Sequence, residues 1–242
     1  PGLFDFAGGV CEALESADSA LIAVSGKSGL TSGAKQSFLK ARSLGKAVAF
    51  FVGKLDSTHA HFYRVISSLV GNYGAVICPV IVPYLENDEI KSYINLIENK
   101  AYSCNGFENK EMRMPVSNEI EEMRNMLLEA VATADDALME KYFAGEEFTT
   151  DEILTGLKKG VTAGDICPVF CGVQQTGAAI SMMTDILLEI LPSCADATYT
   201  LGDGTVCKFD ENGEKALYVF KTIADPFVGK LSYFRVVSGS IS

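Results

Sequence analysis

The residues best placed to do chemistry are Lys54 and Asp56, at the end of the stretch KAVAFFVGKLD that runs from Lys46 to Asp56. Six residues without a polar side chain, Ala47 to Val52, lead straight into Gly53, Lys54, Leu55 and Asp56. A short apolar run that ends in turn residues describes a strand buried on both faces. In open α/β sheets, ligands are held by the loops just past the carboxyl ends of such strands. A carboxylate in that place accepts two parallel hydrogen bonds from a planar ligand with paired N–H groups. A strand followed by a plain polar turn describes the same residues, so the motif needs a context.

Two other groups invite a chemical reading. Ser25-Gly26-Lys27-Ser28 looks like the end of a phosphate loop, but such a loop needs a Gly five positions before its second one. Leu21 stands there, inside an apolar strand, so the segment reads as a look-alike. His59 and His61 bracket Ala60 with no third ligand nearby in sequence, and they read as solvated residues at a helix start.

Composition narrows the class. The chain has 242 residues, 48% of them hydrophobic, enough for one large or two small domains. Its net charge of −11 argues against direct nucleic-acid binding. Seven scattered cysteines with no CxxC pair fit a reduced, cytoplasmic setting better than a disulfide framework or a zinc site. No apolar run approaches ~20 residues, so no membrane span is expected. The first residue is Pro1, which suggests an excised or processed piece.

Among the elements that must position these groups, a helix is expected around Val10 to Ala17, a strand over Ala20 to Val24, and a helix over Ser37 to Leu44. With the Ala47 strand these form a βαβ unit of a parallel sheet. Phe62, Val65, Ile66 and Leu69 mark one face of the next helix, which stops near Gly71-Asn72. Three strands are expected over Ala75 to Val82, Ile90 to Ile97 and Lys100 to Cys104. Asn118 to Phe143 reads as one long helix, with Ile120, Met123, Leu127, Val131, Ala134 and Leu138 on an apolar stripe. Asn118 and Glu121 suit a capping box, and that stripe is expected to face the segment's own sheet. Its other face carries Glu121, Glu122, Glu129, Asp136 and Glu140. A further helix opens at Thr149, with Glu152 completing a capping box and Phe148 and Ile153 as a hydrophobic staple. A strand over Ile166 to Cys171 and a helix from Ala178 to Leu191 precede a boundary at Ser193 to Ala197. Beyond it the pattern is all-β. Hairpin-type turns are expected at Gly202-Asp203-Gly204 and Asn212-Gly213, and strands over Ala216 to Ala224 and Lys230 to Val237.

PGLFDF at the start, the GKLD loop, the PVFCG segment and FKTIADPFVGKLSYFRVVSGSI near the end resemble bacterial elongation factor G, the translocation GTPase of the ribosome. The resemblance runs almost end to end. It implies an α/β fold with a P-loop-GTPase-type parallel sheet, truncated at its start, carrying an inserted α+β subdomain and followed by the first strands of a β-barrel. Residues 1–193 would be the latter part of the GTPase domain, with the insert at about 75–165, and 197–242 the beginning of the second domain. GKLD would be the family's Asn-Lys-x-Asp guanine motif, in which the Asp accepts from guanine's ring N–H and amino group. Adenine offers no such pair.

What the resemblance implies for the site follows residue by residue. Asp56 would read guanine and Lys54 would pack along the base. Gly53 stands where the family has Asn, and loses the side-chain amide that ties the loop to the base. Gly172, Val173 and Gln174 lie at the third guanine motif, with Val173-Gln174 in place of a Ser-Ala pair whose contact is a backbone N–H. Pro1 and Gly2 would be the second half of the family's magnesium and γ-phosphate motif, with Gly2 donating a backbone N–H toward the γ-phosphate. Leu3 replaces the His that positions the attacking water, and leucine can neither orient nor deprotonate water. GTP or GDP with Mg2+ is the cofactor expected in the intact protein, with none bound tightly by this segment alone. The expected partner is the ribosome, through its stalk, which would meet the acidic row Glu121, Glu122, Glu129 and Glu140. The alternative is a ribosome-associated pseudo-GTPase that binds nucleotide without efficient hydrolysis.

Overall fold

The computed structural model describes residues 2, 4–87, 89–196, 198–200 and 204–241. They form two units, Leu21–Leu191 and a terminal unit of Pro1–Ala20 with Pro192–Ser242. In chain order, α1 (Ala7–Ser16) is followed by β1 (Ser19–Ser25), α2 (Ser32–Ser43), β2 (Ala47–Gly53) and α3 (Phe62–Tyr73). Then come β3 (Ile77–Pro79), β4 (Ile81–Glu86), β5 (Glu89–Asn95), β6 (Lys100–Asn105) and β7 (Glu108–Met112). Three helices, α4 (Asn118–Thr133), α5 (Asp136–Phe143) and α6 (Thr150–Ala163), lead back to β8 (Cys167–Cys171) and α7 (Ile180–Ile190). The chain continues into β9 (Thr198–Thr200), β10 (Val206–Lys208), β11 (Ala216–Asp225) and β12 (Gly229–Ser238).

Four strands in the order β1-β2-β8-β3 make the central sheet, with β8 parallel to both β2 and β3. All seven residues of β2 and all five of β8 are buried, as strands covered on both faces must be. Helices α2 and α6 pack against β2, and α3 packs against β3. The expected stripe on α3 is its buried face, since Phe62, Val65, Ile66 and Leu69 all lie in the core. A second sheet, β4-β5-β6-β7, is antiparallel throughout. The fold is thus the expected α/β class, with a parallel sheet, an inserted α+β subdomain and antiparallel strands after it.

The structure corrects several local expectations. Ala75 to Val82 is not one strand. It begins as a short 3-10 turn at Gly74–Val76 and then crosses from one sheet to the other. Val80 is the crossing point: its N–H donates to the Val169 carbonyl and its own carbonyl accepts from the Leu96 N–H, both at 2.9 Å. Strand β7 is an addition to the expected elements, because ENKEM is exposed throughout and carries no apolar alternation.

The long helix expected over Asn118 to Phe143 is two helices. Asp135 breaks it by taking an extended conformation, with its carboxylate accepting the Ala137 N–H at 2.9 Å and pairing with Lys159 at 2.7 Å. A short acidic side chain that bonds its own backbone competes with helix continuation in this way. The capping box expected at Asn118 does not form either. Ser117 is the N-cap, and its hydroxyl turns to Glu119. Ile120, Met123, Leu127 and Val131 are buried as expected, but α4 packs against α5, α6, β3 and β4, so its stripe is only partly on the insert's own sheet.

The capping box at Thr149 does form. Thr149 Oγ1 accepts the Glu152 N–H at 3.3 Å, and Glu152 accepts the Thr149 N–H at 2.7 Å and Lys141 Nζ at 2.8 Å. The Lys141 hydrogen bond, followed by that backbone N–H, holds the Glu152 carboxyl down to about 2. A carboxyl lowered on folding adds stability above its unfolded range and loses it as pH falls. Glu152→Gln should therefore unfold at lower urea than the native chain near neutral pH. The gap should close as pH falls from 4.5 toward about 2. A gap that does not vary with pH in urea titrations would rule out this ionic contribution.

In the terminal unit, β9 pairs with β10 and β11 with β12, both antiparallel. Glu12 of α1 pairs with Lys221 of β11 at 2.7 Å, and Asp18 pairs with Arg235 of β12. Asn212-Gly213 lies in a turn closed by the Gly213 N–H on the Asp210 carbonyl at 3.1 Å, but it joins no hairpin, because β10 and β11 belong to different pairs. Ala197 of the expected boundary and Gly202-Asp203 of the other expected turn lie outside the described residues.

Candidate functional site

The parallel register of β2 and β8, with Val52 opposite Cys171, brings their carboxyl ends side by side. Gly53–Asp56 and Gly172–Ala178 leave the sheet from those two ends, and this places the expected guanine loops next to each other. They are bonded directly. The Lys54 N–H donates to Gln174 Oε1 at 3.1 Å. The Gly172 N–H donates to the Val52 carbonyl at 3.2 Å.

Lys54 adopts the left-handed conformation with φ of 55°. For a residue with a Cβ that costs about 1–2 kcal/mol, so the turn needs outside support, and the Gln174 bond is one support. Gly26 provides another. Its N–H donates to the Gly53 carbonyl at 2.8 Å and its carbonyl accepts the His61 N–H at 3.0 Å. A Cβ on Gly26 would lie 2.6 Å from Leu55 Cδ2. The Ser25–Ser28 look-alike is thus a turn at the end of β1, with the Lys27 N–H donating to Ser25 Oγ at 3.2 Å, and it braces the neighbouring loop. The sequence signal for that role was its place at a strand's carboxyl end.

Asp56 is exposed and lines a cavity of about 640 Å3 together with Leu55, Tyr93, Cys104, Val173 and Ala178. Burial pushes the Tyr93 phenol up, with Cys171, Cys104 and Asp56 adding to the shift. Lys54 and Gln174 do not line this cavity; they meet each other above Gly53. Val173 donates its N–H to the Ala178 carbonyl at 3.1 Å. Its N–H is therefore engaged within the turn, and Gln174 is the member of the pair left to serve as backbone donor to a ligand.

The insert holds this loop from the other side, a contact that no spacing in the sequence announces. Ser181 Oγ donates to the Phe107 carbonyl at 2.9 Å and accepts from Asn109 Nδ2 at 2.9 Å. The tip of the β6–β7 hairpin is thereby latched to the segment that follows β8.

Gly2 is exposed and belongs to the terminal unit, while Pro1 and Leu3 lie outside the described residues. Glu121, Glu122 and Glu129 are exposed on α4, and Glu140 is exposed on α5, so the acidic row is carried by two helices instead of one. His59 and His61 are exposed. Among the described residues, no group of three or more His, Cys, Asp or Glu is arranged to hold a metal ion, and no helix is long and apolar enough to cross a membrane.

A parallel sheet with two bonded loops at adjacent strand ends, one carrying an exposed Asp beside a cavity, defines an α/β domain with a candidate ligand site at its carboxyl edge. The family model described as the elongation factor Tu GTP binding domain matches residues 1–193, and the chain belongs to that family. A crystal structure of a protein from Thermus thermophilus is similar over 99% of this chain, with a TM-score of 0.81 at 29% identity. This chain spans 34% of that protein's length. Of the residues expected at the base end of the family's nucleotide, Asp56 opens onto the cavity, while Lys54 and Gln174 lie outside its lining. For the phosphate and Mg2+ end, Gly2 is the one expected residue among those described.

Proposed function

We propose that the protein carrying this chain is a translation factor of the elongation factor G type, which binds GTP and GDP and acts on the ribosome at a translocation-type step in the cytoplasm. The supporting observation is the insertion itself. The antiparallel sheet β4-β5-β6-β7 and the helices α4 to α6 lie in sequence between the two expected base-reading loops, with Val80 bonded to both sheets. In this reading Asp56 accepts guanine's paired N–H groups, Lys54 lies along the base, and Gln174 donates its backbone N–H to the base carbonyl. Gly2 serves the γ-phosphate, and Mg2+ comes with the nucleotide and neutralises phosphate charge. Leu3 supports a second reading, a nucleotide sensor that binds without efficient hydrolysis, because leucine cannot activate water. Phosphate release measured with and without ribosomes, for GTP against ATP, separates the readings. Ribosome-stimulated, GTP-selective turnover supports the first, and selective binding without turnover supports the second. Equal response to both nucleotides would remove both.

For the partner, the exposed row Glu121, Glu122, Glu129 and Glu140 serves as a docking face for a basic surface, the ribosomal stalk. Like charges in a row do not stabilise their own helices, and each exposed ion pair contributes only about 0–1 kcal/mol. The benefit lies in association rate and its salt dependence. Reversing Glu122 and Glu129 to Lys should slow stalk association markedly at low salt and much less at high salt, with the fold intact. An unchanged low-salt rate would make the row a solvated face.

A further inference from the structure

Gly53 is the departure that most weakens a guanine loop on paper, since no side chain is left there to tie the loop. Its backbone does not explain the glycine. Gly53 has no positive φ, so its conformation suits any residue. Space explains it. A Cβ at 53 would lie 2.2 Å from Gln174 Nε2, 2.7 Å from its Cδ and 2.8 Å from its Oε1. The Gln174 carboxamide, the far end of an exposed side chain, occupies the space beside Gly53 where a Cβ would stand, so a side chain at 53 would displace it. The same carboxamide accepts the Lys54 N–H at 3.1 Å, so it acts on the residue that must hold a left-handed turn before Asp56.

We propose that Gln174 is the positioning residue of the guanine loop: its carboxamide takes the place of a side chain at 53 and holds Lys54, and with it Asp56, in the base-reading conformation. The amide has moved from one loop to the other, and Gly53 and Gln174 form one device. The ligand part of this proposal rests on the guanine reading above and the exchange of amides on the resemblance that puts an Asn at 53; the hold of Gln174 on Lys54 rests on the geometry. Because Gln174 is otherwise exposed, its truncation leaves no hole in the core.

The test is a cycle of Gln174→Ala, Gly53→Asn and the double variant in the full protein, read by hydrogen exchange of the Lys54 amide and by titration with GDP and Mg2+. Gln174→Ala should speed Lys54 exchange and weaken GDP about three- to tenfold, the range of one hydrogen bond. Gly53→Asn alone should cost less, because the exposed Gln174 side chain that it displaces is free to swing into solvent and the new carboxamide takes over its place. The double variant restores a carboxamide from the other loop and should bring exchange and affinity back to within about twofold of the native protein. A double variant no better than the worse single variant overturns the proposal, as does a Gln174→Ala protein whose Lys54 exchange is unchanged. If the native protein ignores GDP, the guanine reading fails, and Lys54 exchange across the cycle still decides whether the amides are interchangeable.

Discussion

Asp56→Asn is expected to lower the affinity for guanine nucleotides by about 10²–10⁴-fold while leaving the fold in place. The carboxylate offers two acceptors to guanine's ring N–H and amino group, and each charge-assisted bond is worth about 1.5–3 kcal/mol. Asparagine keeps one acceptor and turns an NH2 donor against the amino group, so one bond weakens and the other becomes a repulsion. A base with a carbonyl at that carbon suits the new donor, so xanthine nucleotides should gain where guanine nucleotides lose. Asp56 is exposed, and its replacement leaves no buried group unpaired. Calorimetric titration with GDP and XDP checks this. A loss below about tenfold, or an equal loss for both bases, would show that Asp56 does not read the base.

Leu3→His is the second change with a large expected effect. The resemblance to elongation factor G puts the water-positioning His at this residue, and a group of that kind contributes about 10²–10⁴-fold to hydrolysis. Ribosome-stimulated turnover should rise toward that range with GTP affinity unchanged, because the residue acts on water and not on the nucleotide. Single-turnover hydrolysis measured beside equilibrium binding separates the two effects. An unchanged rate in a protein that binds GTP would mean that another departure limits hydrolysis.

The two predictions differ in what supports them. Asp56 stands on a described loop beside a cavity. Leu3 lies outside the described residues and rests on the motif PGLFDF alone. The same division runs through the fold. Ala47 to Val52, a short apolar run ending in turn residues, is a doubly covered strand as read, and Phe62, Val65, Ile66 and Leu69 are one buried helical face, because both signals are carried by a few neighbouring residues. The capping box of Thr149 and Glu152 is local in the same sense and formed as written.

Where local signals compete, packing decided. The break between α4 and α5 turns on Asp135, whose side chain bonds Ala137 locally and Lys159 from another helix. Nothing in an apolar stripe of period three to four reveals that second partner. Strand β7 needed β6 as a template, since its own residues carry no apolar alternation.

The candidate site divides along the same line. The residues proposed to read a base, Lys54 and Asp56, were legible because strand, turn and carboxylate are adjacent in the chain. Gly53 read alone was a loss. Only the parallel pairing of β2 with β8 brings Gln174 over it, from 120 residues beyond Lys54. Side chains that meet only through a sheet register leave no spacing in the sequence to read. The sequence determined which groups are available for chemistry, and the tertiary structure decided which of them touch.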